Sequence, residues 1–140
     1  MDFREIKIDD RMVILHFLAQ LTTTPIINED RFKLFLDTKS NSIKIYMMLV
    51  DKIPVGMGTL LLEKKIIHNL GIVGHIEDIV IDKKYRGSGY GIELIKFLVH
   101  KAKNSHCYKI ILDCDEKNKK FYEKCLLVQK GVCMAMYVNP

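Results

Sequence analysis

The stretch Tyr85-Arg86-Gly87-Ser88-Gly89-Tyr90-Gly91 constrains this chain more than any other, because of what flanks it. Before it, Ile76-Glu77-Asp78-Ile79-Val80-Ile81-Asp82 reads as an apolar strand. After it, Ile92, Ile95, Leu98, Val99 and Ala102 recur at helical spacing. A strand that feeds a glycine-rich turn and then a helix presents unpaired backbone N–H groups at the positive end of a helix dipole. That is a site for a phosphorylated ligand.

The glycine spacing narrows the ligand. A dinucleotide-binding turn needs Gly-x-Gly-x-x-Gly, but the third glycine falls on Ile92 counting from Gly87 and on Leu94 counting from Gly89. No Gly-Lys-Ser/Thr follows, so a P-loop is excluded as well. What remains is Arg86-x-x-Gly89-x-Gly91, which resembles the pyrophosphate-binding loop of the GNAT superfamily of N-acetyltransferases.

At 140 residues, with 49% hydrophobic and 28% charged residues, the chain reads as one globular domain spanning 1–140. No apolar run approaches the ~20 residues of a membrane span. The start, Met1-Asp2-Phe3-Arg4-Glu5, lacks a signal-peptide core, so a cytoplasmic location is expected and no membrane partner. The net charge of +5 is modest. The pairs Lys64-Lys65, Lys83-Lys84 and Lys119-Lys120 are scattered solvated surface, not a nucleic-acid groove. Cys107, Cys114, Cys125 and Cys133 form no Cys-x-x-Cys and no zinc spacing; buried free thiols and no metal are expected. His16, His100 and His106 have no evident partner.

Along the chain, Phe3 to Ile8 alternates as a first strand. Asp9 or Asp10 is placed to cap a helix carrying Met12, Val13, Leu15, Phe17, Leu18 and Leu21, which Thr22-Thr23-Thr24-Pro25 ends. Asn28 caps a second helix. Ser42 to Val50 and Val55 to Glu63 form a hairpin about Asp51-Lys52, and Gly71 to Gly74 is a turn. After the long helix come a strand Tyr108–Asp113, a helix Glu116–Cys125 and a closing strand Val132–Val138. The order is β-α-α-β-β-β-α-β-α-β.

That order is the acetyltransferase order, and the resemblance sharpens to one member family. Gly74-His75-Ile76-Glu77-Asp78-Ile79-Val80-Ile81, Tyr85-Arg86-Gly87, Cys107-Tyr108-Lys109-Ile110-Ile111-Leu112-Asp113-Cys114, and Asn118 with Phe121-Tyr122-Glu123-Lys124-Cys125 resemble the glucosamine-6-phosphate N-acetyltransferases. The likeness implies an α/β (α+β) fold with a central mixed β-sheet flanked by helices. It also implies acetyl-CoA as co-substrate and a homodimer with a shared active site. Two departures stand out: the family usually has Gly-Phe where this chain has Leu126-Leu127, and an arginine about where Tyr137 stands. Losing the glycine removes an easy left-handed helix stop.

Glu77 and Asp78 are adjacent carboxylates in a strand apolar enough to be buried on both faces, so each needs a partner or a purpose. Alternation sends them to opposite faces unless a bulge intervenes. The resemblance implies that this strand lies between amine and acetyl-CoA. Backbone groups from Asp78 through Ile79 and Val80 to Ile81 would then orient the amine and pair with the pantetheine arm, and Glu77 would accept the amine's proton, through water or directly. Tyr122, a phenol with pKa near ~10, is the donor to the departing thiolate. Arg86, Gly87, Ser88, Gly89, Tyr90, Gly91 and Asn118 are expected at the cofactor. Lys65-x-x-His68 matches a segment that holds the sugar phosphate, and Thr22, Tyr108, Lys109 and Asp113 match positions near the substrate or dimer seam. Two other readings remain open: the same fold acting on a polyamine or protein lysine, and an acetyl-CoA-binding module without transfer activity.

Overall fold

A computed structural model describes residues 1–139. Five strands lie in one sheet in chain order: β1 (Asp2–Glu5), β2 (Ile43–Val50), β3 (Ile53–Lys64), β4 (Ile72–Ile81) and β5 (Cys107–Ile111). The first four are antiparallel neighbours, and β5 joins β4 in parallel. The crossover between β4 and β5 is α4 (Tyr90–Asn104). The smaller helices are α1 (Arg11–Leu18), α2 (Glu29–Thr38), a single turn α3 (Ile67–Leu70) and α5 (Lys119–Lys124). The mixed sheet with flanking helices is the fold expected from the sequence.

The sheet is covered on both faces, which is why Ile43–Val50 is apolar almost throughout rather than alternating. On one face Tyr46, Met48, Val55, Leu60 and Ile76 pack against Leu94, Ile95, Leu98 and Ala102 of α4. On the other, Ile45, Met47, Met57 and Val80 meet Ile14 and Phe17 of α1 and Phe32 of α2. The β2–β3 turn is built by Asp51 and Lys52 at φ +50° and +66°, the geometry of a tight hairpin. Asn28 caps α2 as expected, its Oδ1 accepting from Arg31 N at 2.9 Å.

Several boundaries differ from the sequence reading. Asp10 stands at the N-cap position of α1, but its side chain makes no cap bond to that helix. Asp10 instead accepts from Arg4 through two bonds of 2.7 and 2.9 Å and from Lys7 N at 2.7 Å, pinning the end of β1. That pairing ends β1 at Glu5, short of the expected Ile8. The strand β4 begins at Ile72, inside the expected turn, because its first residues find partners on both β3 and β5. The last helix opens with a 3-10 turn, Glu116–Asn118. Val132–Val138 forms no strand, and its apolar side chains are solvent-exposed. The cysteines are free but not buried: Cys107 and Cys125 are half-buried, Cys114 and Cys133 exposed.

Candidate active site

The strands β4 and β5 run together only from Ile72 to His75, opposite Cys107 to Ile111. From Ile76 to Ile81, β4 continues with no β5 partner. The parting opens a groove of about 560 Å³ between β4, the glycine-rich loop and α5. Its lining includes Ile79, Val80, Ile81, Arg86, Gly87, Gly89, Tyr90, Gly91, Asn118 and Tyr122. Ten of the residues expected at the cofactor are therefore brought together here. Ser88 is exposed on the loop and lies outside the lining. The groove also takes Gln20, Leu21, Tyr85, Asp115, Lys117 and Phe121, which the sequence did not assign to the cofactor.

The three glycines serve two purposes. Gly87 and Gly89 sit at φ +84° and +82°, with open space where a Cβ would project. Their requirement is conformational, and it leaves the backbone uncovered for an anion. Gly89 precedes Tyr90 at the start of α4, where the first N–H groups have no intrahelical acceptor. Gly91 is inside the helix, and a Cβ there would lie 3.0 Å from Phe121 Cζ. It is small so that α5 can pack against the helix start. Arg86 is held by its Nε donating to Ile81 O at 2.8 Å.

The carboxylates are arranged by a bulge. Met57 pairs with Val80 and Thr59 with Glu77, so Asp78 is the extra residue, at φ +51°. The strict alternation that would send Glu77 and Asp78 to opposite faces is broken. Asp78 lines a second, mostly apolar cavity together with Thr59, which is Glu77's cross-strand partner. Both carboxylates thus open toward the α1–α2 side of the sheet, and both are solvent-accessible. Partial desolvation pushes the Glu77 pKa up; Asp78 and Asp113 add to this, and His75 opposes it.

Tyr122 faces the groove from α5, half-buried, and burial pushes its pKa up to about 12. Its helix ends in the left-handed stop that the missing glycine had put in question. Leu126 adopts φ +69°, Leu126 N donates to Glu123 O at 3.0 Å and Leu127 N to Tyr122 O at 3.2 Å.

The residues expected at the acceptor lie around β4 but take different partners. Lys65 Nζ is 3.4 Å from Glu63, whose carboxylate also meets His75 at 3.0 Å; His75 first and Lys65 after it hold the Glu63 pKa down. His68 stacks on Tyr108 with ring centroids 4.2 Å apart, and Lys109 Nζ lies 5.9 Å above the same ring. His68 reaches that position through a left-handed turn, with His68, Asn69 and Leu70 all at positive φ. Asp113 is near enough to Glu77 to raise its pKa, and its charge together with a hydrogen bond raises the Cys133 thiol. Thr22 is exposed just past α1, its N–H bonded to Leu18 O. His16, without an evident partner in the sequence, pairs with Asp82 at 3.0 Å.

Comparison with known proteins agrees with this geometry. Residues 13–126 match the family model described as acetyltransferase (GNAT) family. A glucosamine 6-phosphate N-acetyltransferase of Arabidopsis thaliana is 35% identical, covering 97% of this chain and 95% of its own length. A glucosamine 6-phosphate N-acetyltransferase 1 of Dictyostelium discoideum is 40% identical, covering 97% and 90%. The crystal structure of the Arabidopsis thaliana glucosamine-6-phosphate N-acetyltransferase superposes with a TM-score of 0.90 at 32% identity, over 99% of this chain and 98% of that one.

Proposed function

The chain belongs to the GNAT acetyltransferases, and within them to the glucosamine 6-phosphate N-acetyltransferases; from that premise we propose that its single domain, 1–140, acetylates the amine of D-glucosamine 6-phosphate, giving N-acetyl-D-glucosamine 6-phosphate and CoA. The observation that carries the reading is the groove where β4 leaves β5. The glycine-rich loop lies at one end of that groove, and Glu77 and Asp78, on the bulge of the same strand, open toward a second cavity on the α1–α2 side of the sheet.

The residues present suit acetyl-CoA. Uncovered N–H groups at Gly89–Gly91 and the Arg86 guanidinium offer donors to a pyrophosphate, and Ile79–Ile81 offer free backbone groups to an extended amide chain. Bound acetyl-CoA supplies an acetyl thioester. Glu77, its pKa raised, is the base that relieves the amine of a proton, through water or directly. Asp78, on the bulge, orients the amine.

Tyr122 works differently from the simple proton donor suggested by an ordinary phenol. With its pKa pushed up to about 12, outright transfer to a thiolate of pKa about 8.5 is uphill by roughly three units. Tyr122 therefore hydrogen-bonds the sulfur as charge builds on it. Transfer is direct, in a ternary complex. All four cysteine thiols have raised pKa values, so none is an activated acyl carrier. On the acceptor side Lys65 and His68 hold the sugar phosphate, Thr22 contacts the substrate, and Tyr108, Lys109 and Asp113 lie near the sugar amine or the dimer seam.

The active unit is a homodimer with a shared site. Val128, Val132, Met134, Met136 and Tyr137 expose 82–89% of their surface beyond the β5 edge, and a second copy of this chain covers them. The reaction is cytoplasmic and feeds UDP-N-acetylglucosamine synthesis.

The test is incubation with acetyl-CoA and glucosamine 6-phosphate, with mass spectrometry of the product. Acetylation of the phosphorylated sugar, but not of glucosamine or spermidine run alongside, supports the assignment. Bound CoA without sugar product sinks the acceptor assignment and leaves a polyamine, a protein lysine or a binding module.

A further inference from the structure

Gln20 stands three residues past the buried Phe17, beyond the last residue of α1, and reaches the glycine-rich loop from outside it. Its Oε1 accepts from Lys83 N at 2.8 Å and from Arg86 Nη2 at 3.4 Å. Its Nε2 lies 3.4 Å from Asp82 Oδ1, 3.4 Å from His16 O and 3.2 Å from His16 Nε2. The His16 Nε2 atom is also 3.0 Å from Asp82 Oδ2. One ring nitrogen cannot donate to the carboxylate and accept from the amide in the same tautomer, so the Gln20 amide gives its hydrogens to Asp82 and His16 O.

Asp82 is buried and fixed from the other side as well. It accepts from Lys84 N at 3.1 Å, its own N–H goes to Val55 O at 2.9 Å, and its carbonyl takes Tyr85 N at 2.7 Å. These bonds tie the end of β4, the 3-10 turn Lys83–Tyr85 and Arg86 to one another, and Gln20 ties them all to α1. Arg86 is thereby held at two points, Ile81 O and Gln20 Oε1. The face of its guanidinium not used in these bonds is left for a ligand. A free arginine side chain has rotamer entropy to lose on binding, and one already held loses less.

We propose that Gln20 is a positioning residue for the pyrophosphate of the acyl donor. It orients Arg86 and the entry to the loop before the ligand arrives, so that little ordering remains at binding. This rests on the reading of the groove as the acyl-CoA site, and it deepens that reading by placing the control of affinity on the short segment that leads from α1 to Thr22.

The test compares a ligand that has the pyrophosphate with one that lacks it. CoA binding to the whole protein is measured by calorimetry, and S-acetylpantetheine binding by NMR titration, for the parent, Gln20→Ala, Gln20→Met and Arg86→Ala. Gln20→Met keeps the bulk and loses the hydrogen bonds. Both Gln20 variants should bind CoA about 10-fold more weakly and S-acetylpantetheine as the parent does, and Gln20→Ala should add little once Arg86 is alanine. Unchanged CoA affinity in Gln20→Met, equal losses for both ligands, or full additivity with Arg86→Ala overturns the proposal. Failure of the groove reading looks different, since the parent itself would then not bind CoA.

Discussion

The amide of Leu127 donates to the carbonyl of Tyr122 across 3.2 Å, and between them Leu126 is forced to φ +69°. The bond closes the helix that presents Tyr122 to the groove, in a conformation that suits glycine far better than a branched residue. Leu126 is 91% exposed and gains nothing from packing. Leu126→Gly should therefore stabilise the protein by about 1 kcal/mol, read as a higher midpoint in denaturant, with catalytic rate unchanged. A loss of stability would mean that Leu126 packs against something in the assembled protein.

The loop glycines should respond to substitution in different ways. Gly89→Glu places a carboxylate where donors face an anion, and CoA affinity should fall at least about 100-fold while thermal stability falls modestly. Gly91→Ala instead pushes on Phe121 and should cost about 1–2 kcal/mol of stability, with any loss of rate following from displaced Tyr122. Calorimetric CoA titration and thermal melts separate the two.

Glu77 and Tyr122 differ in their pH signatures. The raised Glu77 pKa places the acidic limb of kcat/KM above the ordinary carboxylate range, and Glu77→Gln should remove that limb with a drop of roughly 10²-fold or more. Tyr122, near about 12, stays protonated through any usable alkaline range, so the profile should show no fall below pH 10 that Tyr122→Phe abolishes. Such a fall would show that the phenol ionises early and that its burial is relieved in the complex.

Asp10 links acid stability to the first strand. Its pKa is held below the ordinary value chiefly by the hydrogen-bonded Arg4 guanidinium, so its contribution is fully present above about pH 4, the unfolded value, and is lost as pH falls through the folded one. Asp10→Asn should cost about 2 kcal/mol at pH 7, shrinking as the pH drops below 4. Denaturant melts of parent and variant at pH 7 and 3 check this.

In the proposed homodimer the exposed C-terminal segment forms the interface. Deleting residues from Gly131 onward should shift the protein to the monomer in sedimentation velocity and sharply lower activity. Dimeric, active protein after this deletion would place the interface elsewhere.

The sequence was most legible where local rules are strict. Asn28, Asp51-Lys52 and the glycine loop each depend on a few neighbouring residues, and each formed as read. Ten of the groove's residues were legible from one short motif, one strand, one asparagine and one tyrosine. What escaped depends on pairing at a distance. The Asp78 bulge is set by how β3 meets β4, and no period in Ile76–Ile81 announces it. Asp10 reads as a helix cap until Arg4 folds beside it. Gln20 and His16 gain their roles only when Asp82, more than sixty positions later, comes within hydrogen-bonding range. The closing strand failed for a related reason: β-branched and apolar residues make Val132–Val138 competent to be a strand, but competence needs a neighbour.

From Ile76 to Ile81, one edge of β4 lacks the strand that a complete sheet would place there. In the proposed complex an extended amide chain lying along that edge would complete the architecture, making the substrate also a structural member. A protein built in this way is most resistant to heat and proteolysis when its acyl donor is plentiful, gaining about 2.7 kcal/mol at a hundredfold excess over Kd. On that reading its cellular lifetime would follow the supply of its acyl donor.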